Sequence, residues 1–414
     1  MLDLKYIREN KKKVEAAAKN KNRKVDVDAL LQLDKNQGEL HQKVQKLREE
    51  RNKVAGLGKE EASLKGKEIK EKLKLLEEEL RTTETKIAEL VLQIPNVPLD
   101  EVPVGGEKEN KELRTWGKIK KFDFTPKTHL ELGKSLGLID TERGSKVSGF
   151  RGYFLKNELA LLQSALLQYA FQKLAGKGYS PMIAPAIVKS FALEGTGQFP
   201  WGKQEVYELN DEDAYLSGTA EVPATAFHAG ETLNLSELPK KYVVLSTSYR
   251  REVGSYGRDT KGLYRVHEFS KVEQVVFAEN DLDGARKIHE ELQANAEEIL
   301  QELEIPYRVL LMSTGEMGEP QILKYDTESW MPSREGYGET MSNSIMGDFQ
   351  TRRLKIKYKS KEGKTNYCYS LNNTALASPR ILIPLLENHQ QKDGSVTIPK
   401  ALHKYTGFTK ISPK

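Results

Sequence analysis

TSYRREVGSYGRDTKGLYRVHEFSKVE, residues 247–273, decides the fold. Its two ends alternate like strands, and the middle is a long glycine-bearing loop dense in arginine. Arg250, Arg251, Arg258 and Arg265 share the stretch with Glu252, Asp259 and Glu273. The planar, permanently charged fork of arginine suits phosphate, so this concentration fits a polyphosphate site. Surface ion pairs on a hairpin are the alternative that composition alone leaves open.

Working outward, KKYVVLSTSYR and KVEQVVFA flank the loop as strands, and YRVLLM and TNYCYSLN read as further β segments. ELALLQSALLQYAFQKLAG and LDGARKIHEELQANAEEILQEL read as helices. Strands that follow one another with only loops between them favour an antiparallel α+β sheet flanked by helices over a doubly wound parallel one. Neither G-x-x-x-x-G-K-[ST] nor G-x-G-x-x-G occurs, so a nucleotide must be held by another device.

The first hundred residues have a different texture. They are rich in Lys, Glu, Leu and Gln, with no proline before Pro95. Leu33, Leu40, Leu47 and Val54 recur every seven residues with Val44 between. Ile69, Leu73, Leu76, Leu80, Thr83, Ile87 and Leu90 step by four and three. Both runs fit the narrow apolar seam of a coiled coil over about residues 27–94. Gly56, Gly58 and Gly66 lie between them and are expected to end one helix and turn the chain into an antiparallel hairpin. From Lys43 to Lys74 there are eleven Lys/Arg against six Asp/Glu, so the far end of the hairpin is basic. A solvated helix face accounts for such a run; so does a phosphate backbone, which Lys and Arg grip without reading sequence. IPNVPLDEVPVGGEKEN then reads as a linker or wrapping loop, which puts the domain boundary at 103/104.

At 414 residues the chain is expected to hold more than one domain. It is 38% hydrophobic and 30% charged, with 65 Lys+Arg against 60 Asp+Glu, a balance that excludes global disorder and a histone-like polycation. No run approaches the roughly 20 apolar residues of a bilayer span. MLDLKYIRENKKK lacks the apolar centre of a secretory signal, and a lone Cys368 excludes a disulfide framework. A cytoplasmic protein that folds without metal is expected.

With these pieces placed, the chain resembles the class II aminoacyl-tRNA synthetases in their seryl form. Y-R-x-E, the loop GRDT-KGL-x-R and H-x-F-x-KVE look like motif 2 (247–273). KGYSPMIAP, within 177–188, looks like motif 1. GTAEV (218–222) is similar to the serine-binding TAE loop, and LNNTALASPRILIPLLENHQQKDGSVTIPKAL contains a motif 3 equivalent (371–390). The leading hairpin resembles the family's tRNA-binding arm. The likeness covers essentially the whole chain and implies an N-terminal arm (1–103) before a catalytic domain on an antiparallel sheet (104–414).

The resemblance also implies roles. Arg250, Arg380 and Glu339 would be catalytic, with Arg250 on the ATP α-phosphate and the serine carboxylate that attacks it, and Arg380 on the γ-phosphate. Preorganised charge of this kind is commonly the largest catalytic contribution. Glu252 would accept from the adenine amino group and Phe269 would stack on the ring, with Arg251, Arg265, Val266, Thr340 and Met341 completing the ATP site. Glu339 and Ser342 would ligate Mg²⁺, which prefers hard oxygen donors. L-Serine would be bound by Thr219, Ala220, Glu221, Arg250, Glu273, Asn372 and Thr374, the Glu273 carboxylate taking the ammonium group and Thr374 the hydroxyl. The implied partners are tRNA(Ser), tRNA(Sec) where one exists, and a second copy of the chain, with no membrane and no DNA. A paralogue that loads a carrier protein would lack the arm, and an inactive RNA-binding homologue would be expected to lose Arg250, Glu252 or Arg380; all are present.

Some positions depart from the family pattern. Asn343 stands where Cys is usual and Ile345 where Asn is usual, so a supporting hydrogen bond is expected to be missing. Asn373 and Ala375 replace glycines, and Asn tolerates left-handed backbone best among other residues. Pro379 replaces a glycine and suits a first helical position; Pro384 would remove a helical bond to Arg380, which predicts a kinked or late-starting helix.

Overall fold

A computed structural model describes residues 1–54, 59–210, 212–253 and 262–413. The expected turn at Gly56 and Gly58, and Arg258 and Asp259 of the arginine-rich loop, lie outside the described residues. Contacts divide the chain into two units, Met1–Val97 and Pro98–Lys414, a division earlier than the 103/104 boundary read from the sequence.

In the first unit α1 (Leu4–Glu9) and α2 (Lys11–Asn20) precede two long helices, α3 (Val27–Val54) and α4 (Lys59–Gln93). Asp26 starts α3 by accepting from the Ala29 N–H at 2.8 Å, a side-chain cap for an otherwise orphaned donor. Leu40, Val44, Leu73, Thr83 and Ile87 are buried along the seam. The pairing is antiparallel: Arg48 bonds Glu77 at 2.8 Å, while Gln37, earlier in α3, bonds Glu84, later in α4. Gly66 corrects the expected turn, because it lies inside α4. Its cost of about 1 kcal/mol is within what strong helix formers such as the surrounding Lys and Glu can offset. At the base, Ile7 and Val14 close over Val27, Leu30, Ile87, Val91 and Ile94.

The second unit is built on eight strands: β1 (Lys111–Trp116), β2 (Ser180–Ile183), β3 (Lys240–Tyr249), β4 (Glu268–Ala278), β5 (Tyr307–Leu311), β6 (Leu323–Met331), β7 (Gly336–Gly347) and β8 (Tyr369–Ser378). Their spatial order is β1-β5-β6-β7-β8-β4-β3-β2. Every pairing is antiparallel except the edge pair β2–β3. Strands β6 and β7 were not read from the sequence; their polar and glycine-rich stretches mask the alternation. The expected strand TNYCYSLN divides at Cys368, and only its second half joins this sheet.

Two helices cover one face of the sheet, α5 (Asn157–Gly176) and α7 (Leu282–Glu302). Asp281 caps α7 by accepting from the N–H groups of Asp283 and Gly284. Leu159, Leu162, Leu166 and Leu174 of α5 and Leu292, Ala296, Ile299 and Leu300 of α7 meet Val243, Val272, Val276, Leu371 and Ile345 in the main core. Each such leucine contributes on the order of 2 kcal/mol of burial. On the opposite face Tyr242, Val244, Val275 and Phe277 pack under Ala220, Ala224 and Ile356 at one end. The other end of that face carries polar side chains.

Motif 3 continues into α9 (Leu382–His389), which starts three residues after Pro379. The predicted late start is therefore found, while Pro379 precedes the helix instead of opening it. Pro384 is the third helical residue, where the backbone N–H has no partner inside the helix anyway, so the ring removes nothing.

Candidate active site

Strand alternation assembles the site. On β4, Val272, Gln274 and Val276 face the helices, so Phe269, Lys271 and Glu273 face the other way. On β8 a bulge at Ala375 makes Val272 pair with Leu376 but Glu273 with Thr374. The extra residue lets Thr374 and Ala377 both face the cleft while Ala375 and Leu376 both enter the core. A second bulge, at Thr340 on β7, pairs Thr327 with Met341 and Glu328 with Glu339.

The cleft so formed has a volume of about 530 Å³ and is lined by Arg250, Glu252, Arg265, Val266, Phe269, Glu339, Thr340, Met341, Thr374 and Arg380 among others. This is the size of a small-ligand pocket. Near its middle the Arg250 guanidinium lies 5.3 Å from the centre of the Phe269 ring, and its Nε donates to the Gly218 carbonyl at 3.1 Å. Glu252, with φ +53°, accepts from Arg265 at 2.9 Å.

One end holds buried charge. The Lys271 ammonium lies 2.6 Å from the Glu273 carboxylate and donates to the Thr219 hydroxyl at 3.1 Å. Glu221 opens the short helix α6 (Glu221–Ala226) and accepts from Gln350 of α8 (Phe349–Leu354) at 2.7 Å. Burial, reinforced by the like charge of Glu273, pushes the Glu221 carboxyl up to about 7. Burial also raises Glu273, against the pull of Lys271.

The other end is cationic above a pair of acids. Arg380 donates from Nε to the Tyr264 carbonyl at 3.0 Å and lies 3.5 Å from the Glu339 carboxylate. Burial would raise Glu339, but Arg380, Lys324, Arg250 and Arg265 together hold it below the ordinary carboxylate range. Asp326, opposite Ser342 in the β6–β7 register, is pushed up to about 6 by burial despite Lys324 at 2.9 Å.

Not every expected residue lines the cleft. Ala220 is fully buried in the small core, and Arg251 is exposed, its N–H donating to the Glu205 carbonyl. Asn372 and Ser342 are not among the lining residues. Lys271, Lys324, Asp326, Tyr264 and Gln350 were missed by sequence reasoning. Lys271 could have been found, since it sits two residues before Glu273 on the same strand face.

The seryl-tRNA synthetase N-terminal domain family matches residues 1–98, and the class II tRNA synthetase core domain (G, H, P, S and T) matches residues 204–389. The chain is 46% identical to a serine–tRNA ligase of Deinococcus radiodurans and 43% identical to one of Treponema denticola, over 99% of its length and 99% and 100% of theirs. The chain belongs to the seryl-tRNA synthetase family. A crystal structure of the seryl-tRNA synthetase of Pyrococcus horikoshii complexed with ATP superposes with a TM-score of 0.93 at 38% identity, covering all of both chains.

Within this seryl-tRNA synthetase framework the departures in β7 and β8 fall on the helix side. Asn343 donates to the His289 carbonyl at 2.9 Å, so it makes a supporting bond where one was expected to be lost. Asn373 donates to the Leu292 carbonyl at 2.6 Å and has no left-handed backbone. Ile345 fills the main core. None of the three faces the cleft.

Among the described residues no cluster of three His, Cys, Asp or Glu side chains could hold a metal unaided. The residues nevertheless fit a hard cation shared with phosphates. Glu339 and Ser342 are oxygen donors, and the buried Asp326 Oδ1 has no hydrogen-bond partner. Among the described residues no helix is long and apolar enough to cross a membrane.

Proposed function

We propose that this seryl-tRNA synthetase activates L-serine with ATP and transfers it to the 3′ end of tRNA(Ser), and of tRNA(Sec) where one exists. The observation that carries the reading is the polarity of one cleft, with a buried Lys271–Glu273–Glu221 cluster at one end and Arg250 and Arg380 beyond it. Serine, a small zwitterion, suits the first; a triphosphate suits the second.

In the reading, Glu273 and Glu221 take the serine ammonium and Thr219, Thr374 and Asn372 its hydroxyl. A site built to hydrogen-bond a hydroxyl rejects the analogue lacking it by about 10⁴-fold or more. Arg250 draws the serine carboxylate toward the α-phosphorus. The new carboxylate–phosphorus bond forms as the bond to the β-phosphate oxygen breaks, and Arg380 and Arg265 take up charge on the departing pyrophosphate. Adenine stacks on Phe269, displacing the guanidinium from that ring, with Glu252 as acceptor for the amino group and Val266 and Met341 beside it. Mg²⁺, when bound through Glu339 and Ser342, supplies charge neutralisation on the phosphates. The terminal ribose hydroxyl of tRNA then attacks the seryl carbonyl and AMP leaves. No enzyme nucleophile is required; Cys368 is fully buried and its thiol is pushed up to about 12 by that burial.

The arm, with residues 1–103 as its domain, is assigned to tRNA, supported by the basic run Lys43–Lys74 and a phosphate-and-shape mode of RNA recognition. Residues 104–414 are assigned to catalysis. A homodimer is proposed through the motif 1 edge, where Ile183 is 80% exposed on β2 and Ile187, Phe191 and Phe227 are exposed large apolar residues. A cytoplasmic location goes with these substrates.

Serine-dependent ATP–pyrophosphate exchange is the test, and no exchange would end the reading. Replacing Val44–Leu76 by a short glycine linker leaves the base cluster intact; exchange should stay within about two-fold while charging falls by about 100-fold or more, the scale of losing several phosphate contacts. Charging at the wild-type rate would remove the arm from the account.

A further inference from the structure

Beneath the cationic end lies a buried pair that the proposed reaction does not use. Glu387, on α9, is fully buried. Its Oε1 accepts from the backbone N–H of His129 at 2.9 Å and faces the His129 Nδ1 at 2.9 Å. Its Oε2 accepts from the Ser333 N–H at 3.0 Å. The other imidazole nitrogen, Nε2, accepts from the Leu263 N–H at 3.3 Å. Only a neutral ring with its proton on Nδ1 makes both ring bonds. Burial alone would raise the Glu387 carboxyl, yet His129 and Ser333 hold it below the ordinary range.

Segments far apart in sequence thus converge on one carboxylate, and each leads straight to the cleft. Leu263 precedes Tyr264, and Ser333 precedes Arg334. The guanidiniums of Arg334 and Arg380 pack on the Tyr264 ring, 4.0 and 4.4 Å from its centre, and Tyr264 also accepts from Arg380 through its carbonyl. The fit at His129 is close: a Cβ on Gly262, which has φ +72°, would lie 2.2 Å from Nε2. Glycine is needed there for both reasons.

We infer that His129 and Glu387 are positioning residues: acting through Leu263 and Ser333, they set Tyr264 against Arg334 and Arg380 and so aim Arg380 at the outer phosphates of ATP. This rests on the reading of Arg380 given above. Neither residue touches substrate. The direction of a guanidinium decides whether its fork meets a phosphate, so loosening the pair should weaken ATP and spare serine, whose ligands are on other strands.

The test is steady-state exchange with the full chain. His129→Asn can still donate near Glu387 but does not reach Leu263; the KM for ATP should rise about ten-fold, the scale of one lost buried hydrogen bond, with the KM for serine within about two-fold. His129→Gln restores an acceptor toward Leu263 and should recover the KM for ATP to within about three-fold. Gly262→Ala should give a similar ATP-selective loss. Combined with His129→Ala, which clears the space that the Cβ needs, it should be clearly less than additive. Equal changes in both KM values, no recovery by Gln, or full additivity would each overturn the inference while leaving the proposed function standing. Absence of exchange in the wild type would overturn the function and this inference with it.

Discussion

The arm and the catalytic body are held together by different physics. Along the arm a single seam of Leu40, Val44, Leu73, Thr83 and Ile87 is buried, and most other positions between Lys35 and Lys86 are in contact with water. In the body both faces of the sheet are covered at one end, and at the other the sheet hides Lys271, Glu273, Glu221 and Asp326. The arm draws its stability from a repeating local pattern. The body spends part of its stability holding like charges in a dry place, which is where preorganised chemistry is found. Damage to the arm should therefore cost shape and tRNA, whereas damage to the cleft should cost chemistry with the fold intact.

The largest expected effect is chemical. Arg380→Ala should lower serine-dependent exchange by about 10²–10³-fold with the thermal midpoint nearly unchanged, because the side chain is directed into a cleft and not into a core. A midpoint that falls with the rate would erase the contrast between the two regions.

In the arm, Leu73→Ala should remove about 3 kcal/mol from a seam with no second layer to collapse into the gap. Circular dichroism should register the loss of helix at a lower temperature, and charging should drop while exchange is retained. Loss of exchange in step with helix would mean that the units do not stand apart energetically.

Next comes Glu221. In the folded body its carboxyl keeps a proton until about pH 7, while in the unfolded chain it titrates near 4.5. Between those values unfolding releases a proton, so stability falls as pH rises through that window and levels off above it. Glu221→Gln keeps an acceptor for Gln350 and should abolish a fall on the order of 3 kcal/mol, read as the difference in denaturant midpoint between pH 5 and pH 8. An unchanged pH dependence would show that the carboxyl is not held protonated.

The smallest effect is expected at Arg48, whose 2.8 Å bond to Glu77 joins two well-exposed side chains on the arm. Arg48→Ala should cost less than about 0.5 kcal/mol in the arm's thermal transition. A larger loss would mean that the arm depends on more than its seam.

The same contrast governs what could be read in advance. The arm's heptads state its partner face outright, and only Gly66, absorbed by its helix-forming neighbours, was misjudged. In the body the strands that flank the arginine-rich loop were legible because Val and Phe alternate along them. Strands β6 and β7 were not, since residues such as Asp326, Glu339 and Ser342 replace the apolar alternation with site residues. Within the site, Thr219, Glu221, Glu273 and Thr374 were named correctly as neighbours of the cleft only through likeness to a family, because no local pattern states that residues so far apart in the chain meet. Lys271 was within reach of strand alternation. His129 and Glu387 were not, for their value lies in one shared carboxylate that sequence spacing cannot express.

The bulges at Thr340 and Ala375 have a bearing on how this chain tolerates change. Each splits its strand into two reading frames: outward positions are even-numbered before Ala375, as in Asn372 and Thr374, and odd-numbered after it, as in Ala377. A substitution inside either frame alters one side chain. Loss of a single residue there would bring the frames into phase and exchange inside for outside along the rest of the strand, carrying the approach to Arg380 with it. Length is thus as much a part of this site as identity, and a one-residue deletion between Thr374 and Leu376 is a heavier change than any replacement at Ala375.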